Sequence, residues 1–300
     1  NLKKYYPILR PAVLTAFLGY LMVIVALMFD LGHPYRIWHP MILWQHHSVM
    51  FEVGWCVMLY TTVLSLEFSP AILERFNMQW LLKIIKIFTI PLVIAGVILS
   101  TLHQSSLGSL YLIVPNKLDS LWFPPLLPVM FFVSAAMVGL AMVIFESFVS
   151  SKVFKRKLEL DIISGLIKAE WFVLSGYLIL KVVDLIVRGS FLMIFNGSAE
   201  SFMFLAEIII GVGVPLVLLS IPTARKSKGV IFISSLMIII GLVMNKINVS
   251  ITGMLRESGA RYFPAVSEFI VTISIIAGGL LAFKLAIKYL NVFSDEGGDR

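Results

Sequence analysis

Long apolar runs alternate with short polar connections along the whole chain. A helix needs about 20 apolar residues to cross the hydrocarbon core of a bilayer, and eight runs reach or nearly reach that length. They cover residues 11–29, 47–67, 83–102, 126–149, 168–188, 203–221, 229–247 and 267–290. The pattern predicts an all-α polytopic membrane protein. We expect a bundle of about eight transmembrane helices in a single domain, residues 1–300, with a cytoplasmic tail at about 291–300.

Three prolines mark points where these helices start or bend. Pro11 begins the first apolar run, and proline is favoured in the first turn of a helix. Pro91 and Pro215 fall inside runs, where they are expected to kink the helix. Neighbouring helices can satisfy the carbonyl groups that a kink leaves free.

Composition supports the membrane assignment and excludes several other classes. Hydrophobic residues make up 59% of the chain and charged residues 14%, whereas a soluble protein carries about 25% charged residues. Cys56 is the only cysteine, so the chain cannot form an intrachain disulfide, a cysteine-ligated iron–sulfur cluster or a cysteine-rich zinc site. The net charge of +7 is typical of membrane orientation rather than of nucleic-acid binding.

The basic residues also predict the orientation in the membrane. Seventeen of the 24 lysines and arginines fall in the connections on one side of the predicted spans, the side that includes both termini. Basic residues accumulate in cytoplasmic loops, so both termini are expected in the cytoplasm. All five histidines then lie on or near the outer side. So do aromatic residues that form either an interfacial belt or a docking surface: Tyr35, Trp38, Trp44, Tyr111, Trp122 and Tyr262.

A dense polar cluster, TLHQSSLGSL, ends the third run at residues 101–110. Polar groups at that depth are costly unless they find partners, and they often serve a ligand, an ion or a proton. The alternative is a polar helix cap at the interface, in which Ser105 and Ser106 bond back to the helix. A turn-rich segment ending at Pro115 is expected to follow.

Several ionisable residues fall inside the predicted spans. Glu52 is expected near the outer surface and Glu146 toward the cytoplasmic end, while Glu67 and Glu170 are expected at solvated cytoplasmic ends. Lys181 and Asp184 are three residues apart on one predicted helix. Residues at this spacing share a helix face, which favours a neutral structural pair.

Three motifs follow apolar helices in order: DLGHPYR at 30–36, HQSSLGS at 103–109 and NVSITG at 248–253. Together they resemble the NrfD-like (PsrC-like) membrane subunits, most closely the branch with the hydrogenase-2 membrane subunit (HybB) and the DsrP subunit of sulfate reducers. The resemblance implies a quinone-reactive, electron-relay subunit of the cell membrane that has no haem, metal or iron–sulfur cluster of its own. It also implies a further helical hairpin before residue 1.

The resemblance further implies partners and site residues. An extracytoplasmic ferredoxin-like iron–sulfur subunit is expected, together with a hydrogenase, a multihaem cytochrome c or another catalytic subunit. A Tyr, a Glu, a His and a Glu recur on successive helices of HybB-like relatives, and the matching positions, taken as catalytic, are Tyr20, Glu52, His103 and Glu146. The residues expected to contact menaquinone or another quinone are His103, Gln104, Ser105, Asp30, Arg36 and Asn248.

Quinol chemistry suits these residue types. Oxidation releases two electrons and two protons, so the site needs polar partners for both ring oxygens and a route for the protons. Histidine can bond one oxygen and exchange its proton near neutral pH, and Glu52 or Asp30 can take the other. Glu146 lies too far toward the inner side to touch the same ring, which places it in a proton path across the membrane.

Two other functions remain open at this stage. A single b-type haem could lie between His103 and either His46 or His47, although the cytoplasmic half has no histidine, which excludes a transmembrane haem pair with histidine ligands. A secondary transporter would suit Pro91, Pro215 and the buried carboxylates. Against a transporter, no pair of broken segments occupies corresponding halves of the chain.

Overall fold

The computed structural model describes residues 5–113, 117–155, 158–254, 264–290 and 292. Its regular secondary structure in these residues is helical. The helices are α1 (Tyr6–Asp30), α2 (His39–Ile42), α3 (Val49–Arg75), α4 (Gln79–Leu112), α5 (Leu127–Val153), α6 (Leu160–Val187), α7 (Ala199–Ile208), α8 (Val214–Ser220), α9 (Lys228–Ile247) and α10 (Val266–Tyr289). Two π-helical turns, Ile209–Gly213 and Asn248–Thr252, follow α7 and α9. The predicted all-α class is confirmed.

Seven helical segments in the described part of the chain are long and apolar enough to cross a membrane. One is α7 continued through its π-helical turn into α8, and another is α9 with the turn that follows it. The remaining predicted span, 168–188, corresponds to α6, whose 28 residues extend over about 42 Å. It is long enough to cross, but Glu170, Lys181 and Asp184 are buried along it, so apolar character alone does not identify it.

The helices extend beyond the apolar runs that predicted them. Helix α1 begins at Tyr6, so Pro11 lies inside it and Pro7 occupies the first turn instead. Helix α3 continues through Pro70 to Arg75, and α4 continues to Leu112, where a turn-rich segment was predicted. An apolar run marks only the part of a helix that contacts lipid, whereas backbone hydrogen bonding continues past it.

The chain forms two compact units, and the single domain stays a prediction. The first unit contains Asn1–His103 and Phe263–Arg300, and the second contains Gln104–Tyr262. In the first, α1 packs against α3 and α10. The Arg10 guanidinium donates two hydrogen bonds, of 2.9 and 2.7 Å, to the Glu74 carboxylate, which joins the start of α1 to the end of α3.

In the second unit, α5 packs against both α6 and α9. Gly211, in the π-helical turn after α7, meets Gly241 of α9 so closely that a Cβ atom on either residue would overlap the backbone of the other. Packing therefore explains why glycine occupies both positions, because only a residue without a Cβ atom lets the two backbones touch.

Several sequence predictions lie outside the described residues: both extreme termini, Pro115, the basic residues Arg256 and Arg261, and Tyr262. The orientation in the membrane stays a prediction, and exposed positions in the second unit can test it. Lys117 precedes α5, and Ser227 precedes α9. A cysteine introduced at 117 should react with a membrane-impermeant maleimide in intact cells, and one at 227 should react only after lysis. The opposite pattern would reverse the orientation. Background should be low because Cys56 is buried.

Candidate functional site

His103 lies inside a helix rather than at its end. Helix α4 continues nine residues beyond it, to Leu112, so the alternative of a helix cap does not apply to this residue. The side chain is buried, with 7% of its surface exposed. Its Nδ1 atom has no hydrogen-bond partner among the described residues. A buried imidazole with an unused ring nitrogen can bind a further polar group.

Two tyrosines lie near His103 in the first unit. The ring of Tyr20, on α1, is centred 5.6 Å from the His103 ring, and the ring of Tyr60, on α3, is centred 4.6 Å from that of Tyr20. The Tyr60 hydroxyl has Ser100 of α4 as its side-chain hydrogen-bond partner. The structure therefore brings the predicted Tyr20 and His103 together and adds Tyr60 and Ser100, which sequence analysis did not select.

A further polar residue, Glu67, lies on α3 two helical turns after Tyr60. It lies in the interior of α3, not at a solvated end, because the helix continues to Arg75. A Cβ atom on Gly96 of α4 would lie 3.7 Å from the Glu67 Oε1 atom. Gly96 and His103 are two helical turns apart, so the Glu67 carboxylate lies on the α4 face that leads to His103.

The remaining predicted residues of the first unit lie on exposed surface. Asp30 is the last residue of α1, and Glu52 is in the first turn of α3; both are exposed. Because α1 and α3 pack together with opposite chain direction, these carboxylates mark the same end of the unit. Arg36 is exposed in the connection between them and stacks 5.5 Å from the ring centre of Tyr35.

A second polar site lies in the second unit, around the buried carboxylate of Glu207 on α7. Its Oε2 atom accepts hydrogen bonds from Trp122 Nε1 at 2.9 Å and from Asn248 Nδ2 at 2.9 Å. Its Oε1 atom accepts one from Asn245 Nδ2 at 2.7 Å. The Lys181 Nζ atom lies 3.9 Å from Oε1. Three donors and the Lys181 side chain therefore surround the Glu207 side chain with polar partners.

The predicted Lys181–Asp184 pair is wrong, because each residue has a partner from further along the chain. Lys181 pairs with Glu207, whereas Asp184 accepts a hydrogen bond of 2.8 Å from Nε of Arg188. Arg188 also donates to the backbone carbonyl of Phe123, at 3.3 Å. Trp122 is fully buried, so it does not belong to an aromatic belt.

Two other ionisable side chains of the second unit have buried polar atoms that make no hydrogen bond with the described residues. Glu170 was predicted at a solvated end, but it is 1% exposed and neither carboxylate oxygen has a hydrogen-bond partner there. The reason is that α6 begins at Leu160, nearly three turns before Glu170. Lys246 Nζ lies 3.2 Å from the ring centre of Phe131 and also lacks such a partner.

The other predicted site residues lie on helices of the second unit. Gln104 and Ser105 directly follow His103 on α4 and are half-buried. Glu146 is half-buried on α5, two turns before the helix ends at Val153. Asn248 is buried, and its amide nitrogen also lies 3.3 Å from the carbonyl oxygen of Met203.

Comparison with known proteins decides the family. The family model described as "Polysulphide reductase, NrfD" matches residues 1–256. The chain belongs to the NrfD family. It is 40% identical over 304 residues to a protein of Nitratidesulfovibrio vulgaris. The aligned region covers 96% of this chain and 78% of that protein.

Two relatives of this NrfD-family chain have informative names. The "Probable Ni/Fe-hydrogenase 2 b-type cytochrome subunit" of Escherichia coli is 28% identical over 300 residues, covering 97% of this chain and 76% of that protein. The "Menaquinone reductase, integral membrane subunit" of N. vulgaris is 26% identical over 323 residues, covering 99% of this chain and 77% of that protein. The predicted family and the multi-pass membrane location are confirmed.

The residues of this NrfD-family chain that sequence analysis missed had weak local signals. Ser100 lies three residues before His103, on the same helix face, and could have been chosen with it. Tyr60 and Trp122 carried no such signal, because an aromatic residue in an apolar helix or loop is usually packed without a special role.

Proposed function

We propose that this chain is the quinone-reactive membrane subunit of a respiratory redox complex. It binds menaquinone or another quinone and exchanges electrons between the quinone pool and an iron–sulfur subunit. Membership of the NrfD family supports this proposal, as do the menaquinone reductase and hydrogenase 2 named among its relatives. Since the lone Cys56 cannot hold a cluster, the electrons must pass to a redox centre on a partner.

The observation that carries the proposal is the buried His103 ring beside Tyr20 in the first unit. His103 Nδ1 has no bond to the described residues, and it can donate to a quinone oxygen or accept a proton from a quinol hydroxyl, depending on the tautomer. The Tyr20 ring, centred 5.6 Å away, offers an aromatic face for the head group. Gln104 and Ser105 shape the helix beside His103 in this proposal.

The exposed carboxylates supply a route for the protons. Oxidation of one quinol to one quinone releases two electrons and two protons. The electrons pass to the iron–sulfur partner, one proton leaves through His103, and the other leaves through Glu52 or Asp30. Both carboxylates lie at the end of α1 and α3 that is predicted to face outward. Arg36, on the connection at that end, can attract an acidic partner surface or a polar part of the quinone.

Asn248 and Glu146 have less direct roles. The Asn248 amide donates to Glu207 and to Met203 O, and its Oδ1 atom accepts from Thr252 at 3.1 Å. These bonds occupy the polar atoms of Asn248, so a contact with a quinone would have to replace one of them. The assignment of Asn248 as a quinone contact stays a prediction. Glu146, near the predicted inner end of α5, takes part in proton movement across the membrane in this proposal.

The partner is proposed to be an extracytoplasmic ferredoxin-like subunit, with a hydrogenase, a multihaem cytochrome c or another catalytic subunit beyond it. The intact complex, purified and reconstituted in liposomes, should exchange electrons with added menaquinol or menaquinone. Electron paramagnetic resonance of the partner's clusters would follow the exchange. Clusters that never equilibrate with the quinone would contradict the proposal. A haem Soret band assigned to this subunit would favour a cytochrome, and flux of a solute through the isolated chain would favour a transporter.

The same liposomes test the role of Glu146. Glu146→Gln is expected to keep the electron exchange and to lose proton movement, reported by a pH-sensitive dye on the two sides of the membrane. The reason is that a glutamine can bond like a carboxylic acid but cannot release a proton. Proton movement equal to that of the unsubstituted complex would remove Glu146 from the path.

A further inference from the structure

Three polar side chains share one face of α3 in the first unit. Tyr60, Glu67 and Glu74 follow one another at intervals of seven residues, and residues at this spacing lie on the same side of a helix, about 10 Å apart along its axis. Tyr60 lies beside Tyr20 of α1. Glu74 lies at the end of α3 that is predicted to face the cytoplasm, where Arg10 donates two hydrogen bonds to it. Glu67 is halfway between these two points.

The Glu67 carboxylate differs from that of Glu74 because it has no fixed counter-ion. Glu67 is half-buried, and it forms no hydrogen bond or salt bridge with the described residues. A charged carboxylate without a partner is costly inside an apolar span, and such residues often serve proton relays. Binding a proton removes this cost, and a proton that no partner holds in place can pass to a neighbouring polar group. Glu67 is therefore suited to proton exchange.

Gly96 of α4 leaves a space that both Glu67 and Tyr60 border. A Cβ atom on Gly96 would lie 3.7 Å from Glu67 Oε1 and 3.9 Å from Tyr60 Cε2. It would also lie 3.6 Å from Val63 Cγ1. These are ordinary van der Waals distances, so a methyl group would fill the space without a clash. With glycine at this position, the space beside the carboxylate and the tyrosine ring stays open.

Polar contacts continue from Tyr60 to His103. The Tyr60 hydroxyl has Ser100 as its side-chain hydrogen-bond partner, and Ser100 lies three residues before His103 on the same face of α4. The Tyr20 ring is centred 4.6 Å from the Tyr60 ring and 5.6 Å from the His103 ring. Hydroxyl groups donate and accept hydrogen bonds, and an imidazole can take a proton at one nitrogen and release one at the other. These groups can therefore transfer a proton between Tyr60 and His103.

We propose that protons pass between the predicted cytoplasmic side and His103 through Glu67 and Tyr60, with Glu67 as the exchanging group. This inference rests on the proposed quinone function of His103. Reduction of one quinone takes up two electrons, which arrive from the iron–sulfur partner, and two protons. One proton comes through Glu67, and the other comes through the exposed carboxylates at the opposite end of the unit. Oxidation of the quinol reverses both transfers.

The test measures protons taken from the predicted cytoplasmic side for each quinone reduced. The intact complex is reconstituted in liposomes that contain menaquinone and a trapped pH-sensitive dye, with valinomycin and K⁺ to remove the membrane potential. Dithionite added outside reduces only those complexes whose iron–sulfur partner faces outward. Glu67→Gln should lower the uptake from the interior by one proton per quinone. Glu67→Asp should restore it, because aspartate also binds and releases a proton. This ratio does not depend on how much folded complex is recovered.

Two glycine variants test the route without removing a charge. Gly96→Ala fills the space between the carboxylate and the tyrosine ring and should lower the ratio as Glu67→Gln does. Gly278→Ala adds the same methyl group to α10, where nothing lies within 4 Å of the new Cβ atom, and should leave the ratio unchanged.

The outcomes separate this path from the quinone function on which it rests. The path is overturned if the unsubstituted complex takes no proton from the interior, or if Glu67→Gln or Gly96→Ala keeps the unsubstituted ratio. A loss in Glu67→Gln that Glu67→Asp does not restore also overturns it. In each of these cases an inactive His103→Ala complex leaves the quinone function standing. A His103→Ala complex that reduces menaquinone at the unsubstituted rate contradicts the quinone function itself.

Discussion

His103→Ala should nearly abolish electron exchange between the quinone pool and the iron–sulfur partner while the complex still assembles. The substitution removes the imidazole that is proposed to bond a quinone oxygen and exchange its proton. Loss of one hydrogen bond to a buried group costs roughly 1–3 kcal/mol, and loss of a positioned proton acceptor lowers a rate by about 10²- to 10⁴-fold. The rate of cluster reduction by menaquinol, measured by stopped-flow absorbance, is the quantity to compare.

Matched variants separate this effect from a packing defect. Ile98→Ala shortens an exposed apolar residue on the same helix, five residues earlier, and should react at the unsubstituted rate. Tyr20→Phe keeps the ring beside His103 and should cause a smaller loss, as should Glu52→Gln. The prediction is wrong if the His103→Ala complex turns over at the unsubstituted rate, or if a bound quinone is found far from His103. This histidine would then have only a structural role.

Glu207→Leu should produce the largest loss of stability in the chain. The leucine leaves the Lys181 ammonium buried without its carboxylate, and breaking a buried pair from one side costs about 3–5 kcal/mol. It also leaves Trp122 and Asn245 as buried donors without their acceptor, at roughly 1–3 kcal/mol each, whereas the Asn248 amide keeps its bond to the Met203 carbonyl. We therefore expect little folded protein, and a strongly lowered unfolding temperature for any that is recovered, measured by intrinsic fluorescence in detergent.

Two further variants show whether the unpaired charge is the cause. Glu207→Leu combined with Lys181→Met removes both charges and should recover part of the loss, because an apolar pair can replace a buried ion pair. Glu200→Gln changes a carboxylate in the first turn of the same helix and should unfold near the unsubstituted temperature. If Glu207→Leu unfolds at that temperature too, the network does not stabilise the unit.

Much of the fold could be predicted from the sequence, because lipid contact requires long apolar runs. Each predicted span falls on a helix, although the helices end elsewhere. The end of α3 was missed because Pro70 is tolerated inside a helix of this unit. Glu170 was misplaced for a related reason, since Asp161, Ser164 and Gly165 interrupt the apolar residues in the first turns of α6.

The candidate sites were harder to predict, because partners come from distant parts of the chain. Spacing along a helix favours Lys181 with Asp184, but the lysine meets Glu207, 26 residues later. Trp122, in the connection before α5, is buried and donates a hydrogen bond to Glu207. The motif at 103–109 drew attention to His103, yet only tertiary packing places Tyr20 beside His103 and Tyr60 beside Tyr20.

The charges of α6 have a consequence for how the chain is made. On the insertion scale, one Asp, Lys or Arg at the centre of a helix costs about 2.5–3.5 kcal/mol, and α6 contains both Lys181 and Asp184. As α6 leaves the ribosome, the residue that neutralises Lys181 has not yet been synthesised, because Glu207 belongs to α7. For the predicted span at 168–188, we therefore expect stable integration to depend on α7, so that the two helices enter the bilayer together. Glu207→Leu should accordingly lower the amount of chain inserted during synthesis, which protease protection of nascent chains would measure.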